Sequence, residues 1–107
     1  MSANHYNVVA SGYLAVYDNY AYATTSYARS GPEIGVGASI DATYRYGGKN
    51  HVLNDIDSSL GGGATARVDI SVIEQPTAAF LDVRSVHEVS VTQFPSGYWM
   101  DITRWTR

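Results

Sequence analysis

From Ile34 to Tyr46 the chain alternates without a break: Ile34, Val36, Ala38, Ile40, Ala42, Tyr44 and Tyr46 interleave with Gly35, Gly37, Ser39, Asp41, Thr43 and Arg45. An extended strand sends successive side chains to opposite faces, so a run of this kind buries one face and wets the other. The same beat returns in Ala66, Val68, Ile70 and Val72, in Leu81 and Val83, in Val89 and Val91, and in Met100 and Ile102. No stretch sustains the 3.6-residue period of an amphipathic helix. The expected class is therefore all-β: a small six-stranded antiparallel sandwich or flattened barrel built from two three-stranded meanders.

Turn residues divide the chain. Asp18-Asn19 between Tyr17 and Tyr20 suits a two-residue hairpin, because both residue types tolerate positive φ. Ser30-Gly31-Pro32, Gly47-Gly48, Pro76-Thr77 and Phe94-Pro95-Ser96-Gly97 supply the other breaks. They predict strands at about 6–17, 20–29, 33–46, 64–75, 78–93 and 97–106. Residues 1–107 then form a single domain: a meander over 6–46, a long loop over 47–63 and a second meander over 64–106. Gly35 and Gly37 are expected to bend the long third strand or mark a bulge.

Each turn also predicts a register. The Asp18-Asn19 turn sets Leu14 beside Ala23 and Val16 beside Ala21. A turn centred on Pro76-Thr77 sets Val72 beside Leu81, Ile70 beside Val83 and Asp69 beside Arg84. One centred on Pro95-Ser96 sets Val91 beside Met100 and Val89 beside Ile102. A one-residue slip in any of these would invert the faces.

Composition narrows the function classes. Ten acidic and seven basic residues give a formal charge of −3 with no basic cluster, so no nucleic-acid partner is expected. No apolar run reaches the roughly 18 residues of a membrane helix. The chain contains no cysteine, which excludes disulfides, thiolate metal sites and a cysteine nucleophile. The first residues, Met1-Ser2-Ala3-Asn4-His5, lack the basic-then-apolar pattern of a secretory leader. Nothing identifies a compartment.

Chemistry-bearing residues gather in the 47–63 loop, as His51, Asn54, Asp55, Asp57, Ser58 and Ser59. Their oxygens suit a hard cation in type, but the spacing does not match a helix-loop-helix calcium site. The simpler reading is Asn and Asp capping turns, with Val52, Leu53, Ile56 and Leu60 covering an open end of the sandwich. Gly61-Gly62-Gly63 reads as a hinge rather than a phosphate nest, since a strand rather than a helix follows it. His87 falls on the core face, opposite Arg104 and near Ala66, and reads as structural. A small hydrolase using His51 with Asp55 or Asp57 is a minor alternative. No serine lies in a nucleophile elbow, and neither a metal nor a cofactor is expected.

The aromatic residues carry the functional expectation. Nine tyrosines accompany a single lysine, Lys49. The register places Tyr13, Tyr17, Tyr20 and Tyr22 on one face of the first hairpin, away from its small apolar residues. It places Trp99 and Trp105 on the non-core face of the last strand, with Val86 and Thr92 beside them and Ile73 and Phe80 further along. Three readings stand: a second core layer, a subunit or protein interface, or a platform for sugar rings. The expected function is a non-enzymatic binding or assembly module using these six aromatic residues. Its partner would be a protein, including a second copy of the chain, or alternatively a glycan, with Asp18, Asn19 and Asn50 adding hydrogen bonds.

Overall fold

A computed structural model describes residues 10–29, 31–60, 65–72, 78–92 and 97–107. It holds seven strands: β1 (Ala10–Val16), β2 (Tyr20–Tyr27), β3 (Ile34–Tyr46), β4 (Lys49–Leu60), β5 (Thr65–Ser71), β6 (Ala79–Val91) and β7 (Gly97–Thr106). They form two antiparallel sheets, one of order β1-β2-β5 and one of order β4-β3-β6-β7. The all-β sandwich expected from the alternation is the fold. No helix long and apolar enough to cross a membrane occurs among the described residues.

Between the sheets lies a core built from the alternating runs. Ala21, Ala23, Ala66, Val68, Ile70 and Val72 face in from the three-stranded sheet and its end, while Ile34, Val36, Ala38, Ile40, Ala42, Phe80, Val83, Val89 and Val91 face in from the four-stranded one. Alanine makes up half of the first set, and the second carries most of the larger side chains.

Four expectations are corrected. There are seven strands rather than six, because Gly47 and Gly48 adopt φ of +63° and +76° and close a two-residue hairpin between β3 and β4. Glycine accepts that conformation at no steric cost, and two positive-φ residues are what a tight hairpin requires. Most of the expected 47–63 loop is therefore an edge strand, paired from Tyr46↔Lys49 to Gly35↔Leu60.

The sheets are not sequential meanders either. β5 pairs with β2, and β6 pairs with β3 and β7. The expected pairs Val72/Leu81, Ile70/Val83 and Asp69/Arg84 do not form; Asp69 is opposite Tyr22, and Arg84 is opposite Asp41.

Gly35 and Gly37 cause no bulge, since the β3–β6 register runs unbroken from Ile34 to Thr43. The irregularity comes later, where Thr43 pairs with Asp82 and Tyr44 with Phe80, skipping Leu81. This extra residue turns Phe80 into the core at zero exposure, not onto the outer face.

The last hairpin has a different register. Val91 pairs with Gly97 and Val89 with Trp99, leaving residues 92–96 between the paired ends, and Val86 rather than Val89 faces Ile102. The offset from the expected pairing is odd, which inverts the faces of β7. Trp99 and Trp105 pack against the core, and Ile102 is turned outward at 47% exposure. The expected turns at Pro76-Thr77 and Pro95-Ser96, together with His5, Ile73 and the triple glycine at 61–63, lie outside the described residues.

Candidate functional site

The first hairpin has the register read from its turn: Leu14↔Ala23 and Val16↔Ala21. The turn closes through Tyr17 N–H donating to Tyr20 O at 2.8 Å, and Val72 N–H ties it to β5 through Asn19 O at 2.8 Å. With the alanines inward, Tyr13, Tyr17, Tyr20 and Tyr22 stand on the outer face of the β1-β2-β5 sheet. Ala15, opposite Tyr22, is covered to 8% exposure beneath them.

The rings form a contiguous set. Tyr17–Tyr20 and Tyr20–Tyr22 are each 6.1 Å apart between centroids and nearly parallel, at 19° and 14°. Tyr13 meets Tyr22 edge-on at 6.0 Å. β5 adds charge beside them, because Arg67 and Asp69 share its outward parity. The Arg67 guanidinium lies 4.0 Å from the centre of the Tyr22 ring, donates to the Tyr20 hydroxyl at 2.8 Å and pairs with Asp69 at 3.0 Å. The Tyr20 hydroxyl in turn donates to Asp69.

This network perturbs all three groups. The hydrogen bond to Asp69 pushes the Tyr20 phenol up. Hydrogen bonds from Arg67 and then Tyr20 hold the Asp69 carboxyl below the usual carboxylate range, and both partners push the Arg67 guanidinium further up. Tyr20 and Tyr22 are thus braced, while Tyr13 and Tyr17 remain 57% and 59% exposed. Rings fixed before an encounter lose little freedom when a partner docks on them.

Trp99 and Trp105 do not join this face. They belong to the core side of β7, where Arg107 covers Trp105 at 5.6 Å and donates to Phe80 O at 2.8 Å. Of the six aromatic residues singled out from the sequence, four are brought together and two are separated from them. Arg67 and Asp69 were not singled out. Their signal was the outward parity of β5, usable only once β5 is known to pair with β2.

The 47–63 cluster is divided by strand geometry. His51, Asp55 and Asp57 share one side of β4, whereas Asn54 and Ser58 are on the other. Four residues of extended chain separate His51 from Asp55, about 13 Å, far beyond hydrogen-bond reach. His51 instead stacks on Tyr44 at 5.2 Å. Asp57 accepts the backbone N–H of Arg67 at 3.2 Å, covering part of the open edge of β5. Among the described residues no three His, Asp or Glu side chains are placed to hold a metal.

His87 lies between the sheets with zero exposure, opposite Asp101 rather than Arg104. Its Nδ1 is 2.9 Å from Thr25 Oγ1 on one sheet, and its Nε2 is 2.8 Å from Thr103 Oγ1 on the other. Burial pushes its pKa down, against smaller upward pulls from the Asp101 charge and the Thr24 backbone. Gly12 makes room for the ring: a Cβ there would sit 2.4 Å from His87 Cγ. His87 is a satisfied structural link between the layers.

No protein-family model and no curated relative matches the chain. Among solved structures it has similarity to the crystal structure of a protein from Archaeoglobus fulgidus, 9% identical, spanning 92% of this chain and 95% of that one. The TM-score of 0.24 is too low to bear on fold or function.

Proposed function

We propose that the chain is a non-enzymatic binding module whose recognition surface is the outer face of β1, β2 and β5, and that its ligand is a protein. The observation that carries this reading is the braced tyrosine set. Tyr13, Tyr17, Tyr20 and Tyr22 are contiguous, and Arg67 and Asp69 tie two of them to the sheet. Tyrosine and arginine are enriched at the centres of protein interfaces, where a few such residues dominate affinity. The half-buried Thr24 and Ser26 beside the rings supply a polar rim.

The test is site-specific photocrosslinking from position 18, the exposed turn residue beside Tyr17, and, as the control, from position 102 on the opposite sheet, in cells that produce the chain. A protein other than a second copy of the chain, captured from position 18, not from 102, and lost in the Tyr13→Ala/Tyr17→Ala variant supports the reading. That variant should bind the identified partner at least about thirtyfold more weakly per ring removed at a central contact. Capture that is indifferent to both substitutions contradicts it. Binding on a glycan array that disappears in the same variant would reassign the ligand to a carbohydrate.

A further inference from the structure

The outer face of the four-stranded sheet carries a second, chemically different surface. Side-chain parity arranges it in rows running across the strands. The central row is Ile56, Ser39, Val86 and Ile102, each opposite the next in the β4-β3-β6-β7 order. Ile56 and Ile102 are 73% and 47% exposed, and no described residue covers them. One row to one side lie Asn54, Asp41, Arg84 and Arg104, a row of one acid and two bases. One row to the other side lie Ser58, Gly37, Glu88 and Met100, whose only charge is an acid. Beyond Gly37, Gly35 extends a shallow groove of about 230 Å³ bordered by Ser58, Glu88, Ser90 and Tyr98.

We infer that this face is a homodimer interface: a second copy of the chain packs on it about a two-fold axis lying along the Ile56–Ser39–Val86–Ile102 row. Such an axis lays the apolar row on its own copy, so the exposed isoleucines and Val86 are buried against each other. Arg104 is held by Asp82 of its own copy at 3.0 Å, so the charge matched across the axis is that of Arg84 against Glu88. Arg84 then faces the second copy's Glu88, Arg104 faces Met100, and Asp41 enters the hollow left by Gly37.

Arg84 is available for this, since its own pairing with Asp41 is loose at 3.9 Å. The contact is isologous, as a closed dimer requires, and face-to-face sheets pack readily in near-aligned orientation. Four strands and five rows measure roughly 19 Å by 34 Å, on the order of 650 Å² a side before side-chain relief is counted, against ~800 Å² for a standard interface. The tyrosine faces of the two copies would point outward in opposite directions, giving a bivalent particle.

Solution mass by sedimentation equilibrium tests this, using wild type and five variants across a hundredfold concentration range. Wild type is expected to be a dimer of the 11.6 kDa chain, and Ile102→Asp a monomer that keeps its β-sheet circular dichroism. Arg84→Glu and Glu88→Arg should each weaken dimerisation at least tenfold by placing like charges together. The Arg84→Glu/Glu88→Arg double variant should return to within about threefold of wild type. Tyr13→Ala/Tyr17→Ala should remain dimeric, which separates this interface from the proposed recognition face. A wild-type monomer at the highest concentration overturns the inference, as does a dimer untouched by Ile102→Asp. Failure of the double variant to recover overturns the two-fold axis.

Discussion

On the outside of β1, β2 and β5, aromatic rings stand over alanine and are braced by an ion pair; on the outside of β4, β3, β6 and β7, aliphatic side chains stand beside glycine with no described residue laid across them. Both faces have the same pleat and the same parity rule, so the contrast comes from what flanks each row. Arg67 and Asp69 brace Tyr20 and Tyr22 within a contiguous set of four tyrosines, the arrangement on which the proposed recognition face rests. The second face has Arg84 on one side of its central row and Glu88 on the other, the arrangement from which the two-fold contact is inferred. Exposed apolar area alone does not distinguish recognition from self-association; the two proposals rest on the arrangement of charge around it.

The largest predicted effect breaks both faces at once. Gly12→Ala drives a methyl group into the His87 ring, which is held by Thr25 on one side and Thr103 on the other. Overpacking of this kind should cost about 2–3 kcal/mol, and chemical denaturation should report it as a lower midpoint at unchanged slope.

Next comes the pH dependence of that same link. The folded-state pKa of His87 is below its unfolded value, so the unfolded chain binds the proton more readily. Stability should therefore be level above neutrality and decline as pH falls from about 6.5 towards 5, before the carboxylates titrate. His87→Gln should flatten that part of the curve, and an unchanged slope would show that the His87 link does not govern it.

Two smaller effects separate the faces. Arg67→Ala should leave the unfolding midpoint nearly unchanged while collapsing the near-ultraviolet tyrosine signal, because it removes the cover on Tyr22 and the donor to Tyr20. A retained signal would mean the rings hold themselves. Gly37→Ala should be the mildest: the added methyl meets Asp57 O at an ordinary 3.8 Å. It should be neutral or stabilising by up to ~1 kcal/mol in the folded chain, since glycine weakens a strand interior. It should also weaken dimerisation a few-fold by filling the hollow that receives Asp41.

Which parts of this were readable in the sequence follows from how strongly each strand's two faces differ. In the first hairpin small apolar residues alternate with tyrosines and the turn is unambiguous, so the register and the tyrosine face could both be derived. β7 carries Tyr98, Trp99, Met100, Ile102 and Trp105, apolar on both faces, and period two cannot choose between them; burial of the larger indoles decides. β4 escaped because a four-stranded sheet overhangs a three-stranded one. Its inward Asp55 and Asp57 stay exposed, and its outward Val52 and Ile56 are apolar, which erases the usual contrast. Gly47-Gly48 between Tyr46 and Lys49 was the available signal for that hairpin. The pairing of β5 with β2 is long-range and leaves no local trace, so Arg67 and Asp69 could not be connected to the tyrosines beforehand.

The division of labour between the faces is tested most directly by hydroxyl-radical footprinting of the chain at high and low concentration. Self-association is expected to protect Ile56, Met100 and Ile102 while Tyr13 and Tyr17 stay equally reactive at both concentrations. Protection of Tyr13 and Tyr17 on association, with Ile56 and Ile102 unchanged, would contradict it and make the tyrosine face the surface through which copies meet.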